Sequence, residues 1–526
     1  MLHALLLRLA VALSVTLVVG GHHPHKFPPN FRFGAATSSY QIEGGWDADG
    51  KGESIWDRYG HRRQSAIRDN STGDVAADSY HRWRDDVEVA ASLGLHFYRF
   101  SISWPRILPS GFSGNVNRAG VRYYSELIDG LLARGIEPVV TMYHWDLPVA
   151  IQDMGGWTNP LIVKWFSSYA RVLFAEFGSR VRTWITINEA VVVCDFNYNL
   201  GSFAPGVREP ELAPYLCNRH VLLAHAAAYR IYERDYKPKY NGKISLANNL
   251  LWVEPASPAD RELAELGRQH SMGRYLHPIF GRDGGWPAST ERAMLDYSRR
   301  RGYTESKLPP FSQEEKDFIK GTADFIGINY YTTSVIRAAR AGEEGEWFVS
   351  GSRELGAMLA SPPAARTGAS ALLAVHPAGL RHQLHWLRRQ YGDVEMLITE
   401  NGYSTYAGRN DHDRIQFIND HLEQVQQAMS EGVRVVGYTV WSMIDNFEWL
   451  DGYSIKFGLV EVDFGSPNRT RTARASAHYY RCVIDAHALH DDCLHQSVPD
   501  AARDAARELL SGYLTLVVLV VAIVVS

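Results

Sequence analysis

Eight short apolar segments recur between residues 31 and 443, and stretches of helical periodicity separate them. They are residues 31–37, 96–104, 137–145, 181–189, 244–249, 325–332, 395–401 and 435–443. Several are almost continuously apolar, as is typical of strands buried on both faces. Residues 123–135 and 414–432 have apolar side chains at steps of three or four, which predicts amphipathic helices. The alternation predicts a (β/α)8 TIM barrel with long βα loops. An open doubly wound sheet is the alternative, but no Gly-rich nucleotide turn follows the first strand.

Composition favours one large globular domain. The chain has 526 residues, of which 45% are hydrophobic and 21% charged, and residues 27–490 contain no linker, repeat or low-complexity stretch. The net charge of −4 provides no basic surface to attract nucleic acid. The sequence has no zinc-type Cys/His spacing, phosphate-binding loop or dinucleotide fingerprint, so we expect no metal and no cofactor.

Both ends of the chain resemble targeting segments. Residues 1–21 form an apolar run that closes on small residues, which predicts a cleaved signal peptide. Residues 513–526 are apolar and follow a polar spacer, which favours a lipid-anchor (GPI) signal over a single membrane helix. We therefore expect a signal peptide at 1–21, a barrel at 22–492 and a spacer with a hydrophobic tail at 493–526. Either tail places the barrel on the extracellular face of the membrane.

Four cysteines in an exported chain predict two disulfides, and pairing between sequence neighbours is the simplest arrangement. The neighbours are Cys194 with Cys217 and Cys482 with Cys493. Sequons at Asn70 and Asn468 predict two N-glycans.

Polar and aromatic residues stand at the ends of the predicted strands, where barrel enzymes place their active sites. The set comprises Gln41, Glu43, Arg99, Trp104, His144, Trp145, Asp146, Asn188, Glu189, Asn329, Tyr330, Tyr331, Glu400, Asn401, Trp441 and the loop residues Asp445–Trp449. Carboxylates and amides bind hydroxyl groups, and indole rings stack on sugars. Two carboxylates that face each other across a sugar can cleave a glycosidic bond. Glu189 and Glu400 are the natural pair, and the residues alone do not assign the two roles.

Seven ordered motifs make the resemblance to a known family specific. They are FRFGAATSSYQIEGGW, YRFSISWPRILP, YHWDLP, TWITINE, GINYYT, ITENG and WSMIDNFEWLDGYSIKFGL. Across about residues 27–490 the chain resembles glycoside hydrolase family 1, which holds β-glucosidases, lactase-phlorizin hydrolase, myrosinases and klotho-type proteins. The resemblance implies a retaining β-glycosidase whose two carboxyl groups lie ~5 Å apart.

The resemblance also implies individual roles. Glu400 matches the nucleophile and Glu189 the acid/base, while Arg99 and Tyr331 match residues that orient the nucleophile. Residues that grip or enclose the sugar are matched by Gln41, His144, Trp145, Asn188, Asn329, Tyr331, Trp441, Glu448, Trp449 and Phe457. The substrate is expected to be a β-D-glucoside, galactoside or fucoside, because the anionic Glu448 would repel a 6-phosphate.

Two departures from the family pattern leave alternatives open. Ala190-Val191 replaces the usual Pro-Trp after Glu189, which restores a backbone N–H and frees the backbone there. Leu372 stands near the place where relatives often carry a Trp that supports the leaving group, so a small or differently shaped leaving group is expected. The alternatives are a myrosinase-like thioglucosidase and a klotho-like receptor or binding module. The sequence predicts no oligomeric state.

Overall fold

A closed barrel of eight parallel strands forms the centre of the molecule. The structure is a computed structural model that describes residues 25–347 and 349–496. The strands are β1 (Arg32–Ala36), β2 (Phe97–Ser101), β3 (Glu137–Tyr143), β4 (Thr183–Asn188), β5 (Lys243–Asn249), β6 (Ile326–Asn329), β7 (Met396–Asn401) and β8 (Val435–Trp441). Each pairs in parallel with its neighbour in chain order, and β8 pairs with β1 to close the ring. All eight predicted strands and the predicted barrel are confirmed.

The inside of the barrel changes from apolar to polar along the strands. Phe97, Val139, Ile185, Ala247 and Leu397 form a buried apolar layer with Phe325. Alternate residues of a strand point to the same side, so Arg99 and Thr141 lie in the next layer toward the carboxyl ends. The apolar layer closes one end of the barrel, and polar side chains collect at the other.

Helices surround the barrel. The main ones are α1 (Ser79–Ser92), α2 (Arg118–Ala133), α3 (Ile162–Phe177), α4 (Ala213–Asp235), α5 (Arg261–Arg268), α6 (Arg274–Phe280), α7 (Ala288–Arg300), α8 (Gln313–Ile319), α9 (Pro377–Tyr391), α10 (His412–Ser430) and α11 (Ala475–Ala486). The predicted helices 123–135 and 414–432 correspond to α2 and α10. Helix α10 buries Ile415, Ile418, Leu422 and Val425, as its periodicity predicts.

Short elements in the βα loops cover the carboxyl ends of the strands. Single helical turns occupy Ser39–Ile42, Trp104–Ile107 and Val149–Gln152, and longer pieces Ile55–Arg62 and Ala190–Asp195. A four-stranded sheet is built from Trp252–Pro255, Thr333–Ala338, Gly351–Ser352 and Ala357–Ala360. Two-stranded ribbons pair His25–Lys26 with Ala488–Leu489 and Val460–Val462 with Arg471–Ala473.

Both predicted disulfides are present, Cys194 with Cys217 and Cys482 with Cys493. The second disulfide links helix Asp491–Gln496 to α11. Residues just beyond the predicted end of the barrel domain at 492 are therefore still attached to the barrel. Both sequon residues, Asn70 and Asn468, are exposed. The predicted signal peptide and hydrophobic tail lie outside the described residues. Within 25–347 and 349–496, no helix combines the length and apolar character that crossing a membrane requires.

Candidate active site

A cavity of ≈ 300 Å³ opens at the carboxyl ends of the barrel strands. Most of the predicted site residues line it, namely His144, Trp145, Asn188, Glu189, Tyr331, Glu400, Trp441, Glu448, Trp449 and Phe457. Gln41, Arg99 and Asn329 lie behind this lining and contact it through hydrogen bonds. The strand-end pattern therefore brings one set of side chains to one place.

Glu400, near the end of β7, is held by a cation and a phenol. Arg99 Nη1 lies 2.6 Å from Glu400 Oε1, and the Tyr331 hydroxyl donates to Oε2 over 2.7 Å. Arg99 is buried and also donates to the Thr399 carbonyl oxygen over 2.8 Å, so the guanidinium is fixed in place. Burial raises the pKa of Glu400, and the Arg99 charge with the Tyr331 hydrogen bond opposes that rise.

Glu189 follows β4 and has neutral partners instead. Asn329 Nδ2 donates to Glu189 Oε1 over 2.9 Å, and the Glu189 N–H donates to the Ala247 carbonyl oxygen. Burial, followed by the negative charge of Glu400, raises the pKa of Glu189 to about 8. A proton thus remains on Glu189 at neutral pH, and the two carboxyl groups differ in the way that an acid and a nucleophile require.

Amide side chains connect the two carboxyl groups. Asn188 Oδ1 accepts from Arg99 Nη2 over 2.7 Å and from Asn329 Nδ2 over 3.0 Å. Because that oxygen is the acceptor, the Asn188 amide nitrogen faces His144 Nε2 at 3.1 Å, which places the ring proton on Nδ1. Burial lowers the pKa of His144 well below its ordinary value, so the ring is neutral.

Gln41 and Glu448 form a second polar group beside the cavity. Gln41 Nε2 donates to Asn446 Oδ1 over 2.8 Å and lies 3.4 Å from Glu448 Oε2. Burial raises the pKa of Glu448 well above its usual range, and the charge of Asp451 adds to the rise. The Glu448 carboxyl group faces the cavity, so a bound hydroxyl group is a suitable partner for it.

Aromatic rings form the walls. His144 stacks on Trp441 with centroids 5.7 Å apart, and Trp145 packs against Trp449 at 4.5 Å. Phe457 meets Tyr331 edge-on at 6.4 Å. The backbone is left-handed at three lining residues, with φ of 72° at Trp145, 50° at Glu189 and 51° at Trp449. Such conformations cost about 1–3 kcal/mol each and persist where the surrounding structure holds them.

Within the described part of the chain, no group of His, Cys, Asp or Glu side chains could hold a metal ion. The site's reactive groups are carboxyl groups, and its other functional groups are amides, a guanidinium, a phenol and aromatic rings. This set can transfer protons and supply a nucleophile from its own side chains.

Comparison with known proteins identifies the family. The model of Glycosyl hydrolase family 1 matches residues 23–489. The chain is 42% identical to Myrosinase 1 of Brevicoryne brassicae over 468 residues, which cover 88% of this chain and 98% of the relative. It is 38% identical to a cytosolic beta-glucosidase of Homo sapiens, covering 87% and 98% of the two chains. It is also 41% identical to human lactase/phlorizin hydrolase over 90% of its own length, but spans 25% of that larger protein.

The chain belongs to glycosyl hydrolase family 1. Its structure matches that of an aphid myrosinase with a TM-score of 0.83 at 42% identity, covering 88% of this chain and 99% of the other. A rice β-glucosidase mutant solved in a covalent complex with glucose matches with a TM-score of 0.80 at 36% identity, covering 86% and 98%. The predicted family and the predicted class of enzyme, a glycosidase, are confirmed. The retaining mechanism is general to family 1.

In this family 1 enzyme, four polar residues of the cavity lining were not predicted from the sequence, namely Asn249, Thr332, Ser334 and Ser361. Asn249 ends β5, lines the cavity and hydrogen-bonds to Glu189. The strand-end rule could have found it, because segment 244–249 was predicted as a strand. The apolar lining residues that the sequence did not indicate include Val192, Phe196, Phe203, Leu251 and Val349. Val192 and Phe196 lie in short helical segments after β4, Leu251 follows β5, and Phe203 and Val349 lie in loops that have no periodic signal. Leu372 lines the mouth of the cavity and is 73% exposed.

Proposed function

We propose that this enzyme is a retaining β-glycosidase that removes terminal non-reducing β-D-glucosyl, galactosyl or fucosyl residues, with Glu400 as nucleophile and Glu189 as acid/base. One observation carries the proposal: one cavity contains a carboxylate paired with Arg99 and a second carboxyl group whose pKa is raised to about 8. The catalytic domain would comprise residues 22–492.

In the first step, Glu400 attacks the anomeric carbon as the bond to the leaving oxygen breaks. Glu189 donates its proton to that oxygen, so the leaving group departs as a neutral alcohol. The nucleophile becomes an uncharged ester, which removes the negative charge that raised the pKa of Glu189. Glu189 therefore changes from an acid to a base between the two steps.

In the second step, Glu189 takes a proton from water, and the water oxygen attacks the anomeric carbon. The ester bond breaks and Glu400 recovers its charge next to Arg99 and Tyr331, whose short contacts stabilise the returning carboxylate. Two inversions at one carbon give net retention.

The sugar would be held by Gln41, His144, Asn188 and Glu448 through its hydroxyl groups and by Trp441 and Trp449 through its faces. Asn329 supports this arrangement from behind, because it bonds both Asn188 and Glu189. A 6-phosphate is an unsuitable substituent, because its negative charge would enter a buried cavity that already contains the Glu400 carboxylate, and burial of Glu448 already disfavours a charge on that side chain.

The leaving group would be an apolar alcohol. Phe196, Phe203, Leu251 and Val349 line the cavity, and Leu372 stands at the mouth. A sugar as leaving group would place part of its hydroxyl groups against these apolar side chains, although Thr332, Ser334 and Ser361 also line the cavity. Aryl and alkyl β-glycosides are therefore expected to exceed disaccharides in kcat/KM.

A thioglucosidase is a second candidate, because a myrosinase is 42% identical to this chain. A sulfur leaving group is less basic than an alcohol and needs less protonation. The presence of Glu189 with a raised pKa therefore supports oxygen-linked substrates. Parallel assays of nitrophenyl β-glucoside and its sulfur-linked analogue would separate the two, and faster cleavage of the thioglucoside would favour the second candidate.

The central experiment is hydrolysis of nitrophenyl β-glucoside, β-galactoside and β-fucoside by wild type, Glu400→Gln and Glu189→Ala. Glu400→Gln should abolish turnover, and azide should restore cleavage in Glu189→Ala with formation of the β-glycosyl azide. Glu395→Gln is a matched control, because Glu395 directly precedes β7 and pairs with Arg434 away from the cavity. An inverted product, or full activity of Glu400→Gln, would contradict the proposal.

We also propose that the chain enters the secretory pathway, carries glycans at Asn70 and Asn468, and is held at the outer face of the membrane by its lipid-modified tail. Two disulfides and the exposure of both sequon residues support export.

A further inference from the structure

The segment that directly follows Glu189 is too short to hold its own conformation. Helix Ala190–Asp195 has six residues, all of them buried, and continues only into the five-residue π-helical segment Phe196–Leu200. Isolated helices need about 12–15 residues to persist in water, so this one depends on contacts with the rest of the protein. Glu189 precedes the helix with φ of 50°, and Ala190-Val191 lacks the proline that would limit the backbone.

A covalent bond attaches this helix to a longer one. Cys194, five positions after Glu189, is disulfide-bonded to Cys217 in α4, with the two Cα atoms 5.4 Å apart. Both cysteines are fully buried. Helix α4 has 23 residues and packs along the barrel wall, so it is a firm support.

A buried ion pair attaches the same helix a second time. Asp195 Oδ2 lies 2.9 Å from Arg274 Nη2, and both side chains are almost fully buried. Arg274 Nη1 also donates to Asn218 Oδ1 over 2.6 Å, and Asn218 is next to Cys217 on α4. The disulfide and the ion pair therefore converge on one turn of α4.

The nucleophile does not share these supports. Glu400 is held by Arg99 on β2 and by Tyr331 after β6, and neither contact passes through helix Ala190–Asp195. Looser attachment of the helix would disturb the aim of Glu189 more than that of Glu400.

We propose that the Cys194–Cys217 disulfide and the Asp195–Arg274 pair are positioning groups for Glu189, which they aim through helix Ala190–Asp195. The inference rests on the proposed role of Glu189 as acid/base. Loss of the disulfide or of the ion pair should slow protonation of the leaving group by Glu189. The decrease in rate should therefore be largest for substrates whose leaving group needs a proton.

The test compares two substrates in a Cys194→Ala/Cys217→Ala double variant. Phenyl β-glucoside has a basic leaving group that needs the proton, whereas 2,4-dinitrophenyl β-glucoside does not. We expect kcat/KM to fall about 10- to 100-fold for the phenyl substrate and less than about threefold for the dinitrophenyl substrate. Cys482→Ala/Cys493→Ala is the matched control, because it removes the other disulfide and should leave the ratio of the two values unchanged.

Asp195→Asn is measured in parallel in case the double variant does not fold, and circular dichroism with a thermal midpoint verifies each fold. In Asp195→Asn, the ratio of kcat/KM for the phenyl substrate to kcat/KM for the dinitrophenyl substrate should also fall. An unchanged ratio in the folded variants, or an equal loss on both substrates, would overturn the inference. Glu189→Ala serves as reference, and if it shows no selectivity between the substrates, the proposed acid/base role itself is wrong.

Discussion

At the residue scale, Glu189 and Glu400 differ in the partners of their carboxyl groups. Arg99 and Tyr331 contact Glu400 directly, whereas the amides of Asn329 and Asn249 bond Glu189. Burial raises the pKa of both groups, but only Glu400 has a cation in direct contact to oppose the rise. Glu400 therefore loses its proton first as the pH rises, and its charge then keeps the proton on Glu189.

This difference predicts how activity depends on pH. Glu189 must be protonated, and its pKa is raised to about 8, so kcat/KM for phenyl β-glucoside should decline above about pH 8, by about tenfold per unit. For 2,4-dinitrophenyl β-glucoside, which needs no proton, the alkaline decline should be absent. Rate measurements on both substrates between about pH 4 and about pH 10 test this, because that range extends from the ordinary pKa of a Glu to beyond the raised pKa of Glu189. A decline shared by both substrates would assign the alkaline limb to another group.

The substitution Tyr331→Phe should change the acidic limb of the pH profile of kcat/KM. Its hydroxyl hydrogen bond lowers the pKa of Glu400, so its loss raises that pKa and the acidic limb should move to higher pH. Loss of a hydrogen bond to a charged group should lower kcat/KM about 10- to 100-fold at the pH optimum. Tyr330→Phe is the control, since the Tyr330 hydroxyl bonds Thr333 and His376 instead. An acidic limb that does not move would show that Tyr331 does not act on the Glu400 proton.

At the element scale, the strands were predictable because their apolar runs are continuous. Segment 395–401 became β7, and Glu400 stands near its end as predicted. Strand ends were less predictable. The second predicted strand reached Trp104, but β2 ends at Ser101, because Trp104 starts a short helix and stacks on Tyr169 at 4.6 Å. Tyr169 lies in α3, which is distant in sequence from Trp104. The local sequence around Trp104 therefore does not indicate this stacking.

The site residues at strand ends were predictable from the sequence, and several of the site residues in the loops were not. Side chains at strand ends were found because parallel strands bring their carboxyl ends together. Phe196 and Phe203 were not found, because Phe196 lies in a short helical segment beyond the end of β4 and Phe203 lies in the loop that follows it. Their position depends on how that loop packs, for instance on the contact of Phe203 with Trp56 at 5.8 Å.

The free energy of unfolding should depend on pH through Asp146, which lies just beyond β3. Burial raises the pKa of Asp146 to about 7 from 3.8, so the folded state binds its proton more tightly than the unfolded chain does. Stability therefore falls as pH rises from about 4 to about 7, by up to about 4 kcal/mol for this group. Asp146→Asn should remove that loss and gain stability relative to wild type at pH 7.5 but not at pH 4. Urea unfolding of both proteins at the two pH values tests this, and an equal difference at both would contradict it.

At the scale of the whole molecule, both predicted glycosylation sites lie on the outside of one barrel domain. The exposed Asn468 follows a turn near the ribbon Val460–Val462, and Asn70 lies in the long loop after β1. Neither lines the cavity. Glycans at these places would leave access to the active site open.

Glycosylation is therefore expected to change mass but not activity. In animal cells, Asn70→Gln and Asn468→Gln should each remove one endoglycosidase-sensitive shift in gel mobility, and the double variant should remove both. The kcat/KM for nitrophenyl β-glucoside should stay within about twofold of wild type, because surface substitutions of this kind rarely disturb a buried site. A residual glycan in the double variant would show that another site is modified.

The proposed lipid anchor predicts how the enzyme would be released from cells. Small residues Asp500-Ala501-Ala502, a polar spacer and the apolar residues 513–526 stand in the order of a lipid-anchor signal. Phosphatidylinositol-specific phospholipase C should therefore release active enzyme from intact cells that express the full chain. A variant that ends at residue 499 lacks the tail and should therefore appear in the medium without the lipase. It keeps the disulfide of Cys493 with Cys482, so the last helix of the barrel domain stays attached. Activity that stays on the cells after lipase treatment, but is lost to the medium in the shortened variant, would assign the tail as a membrane helix instead.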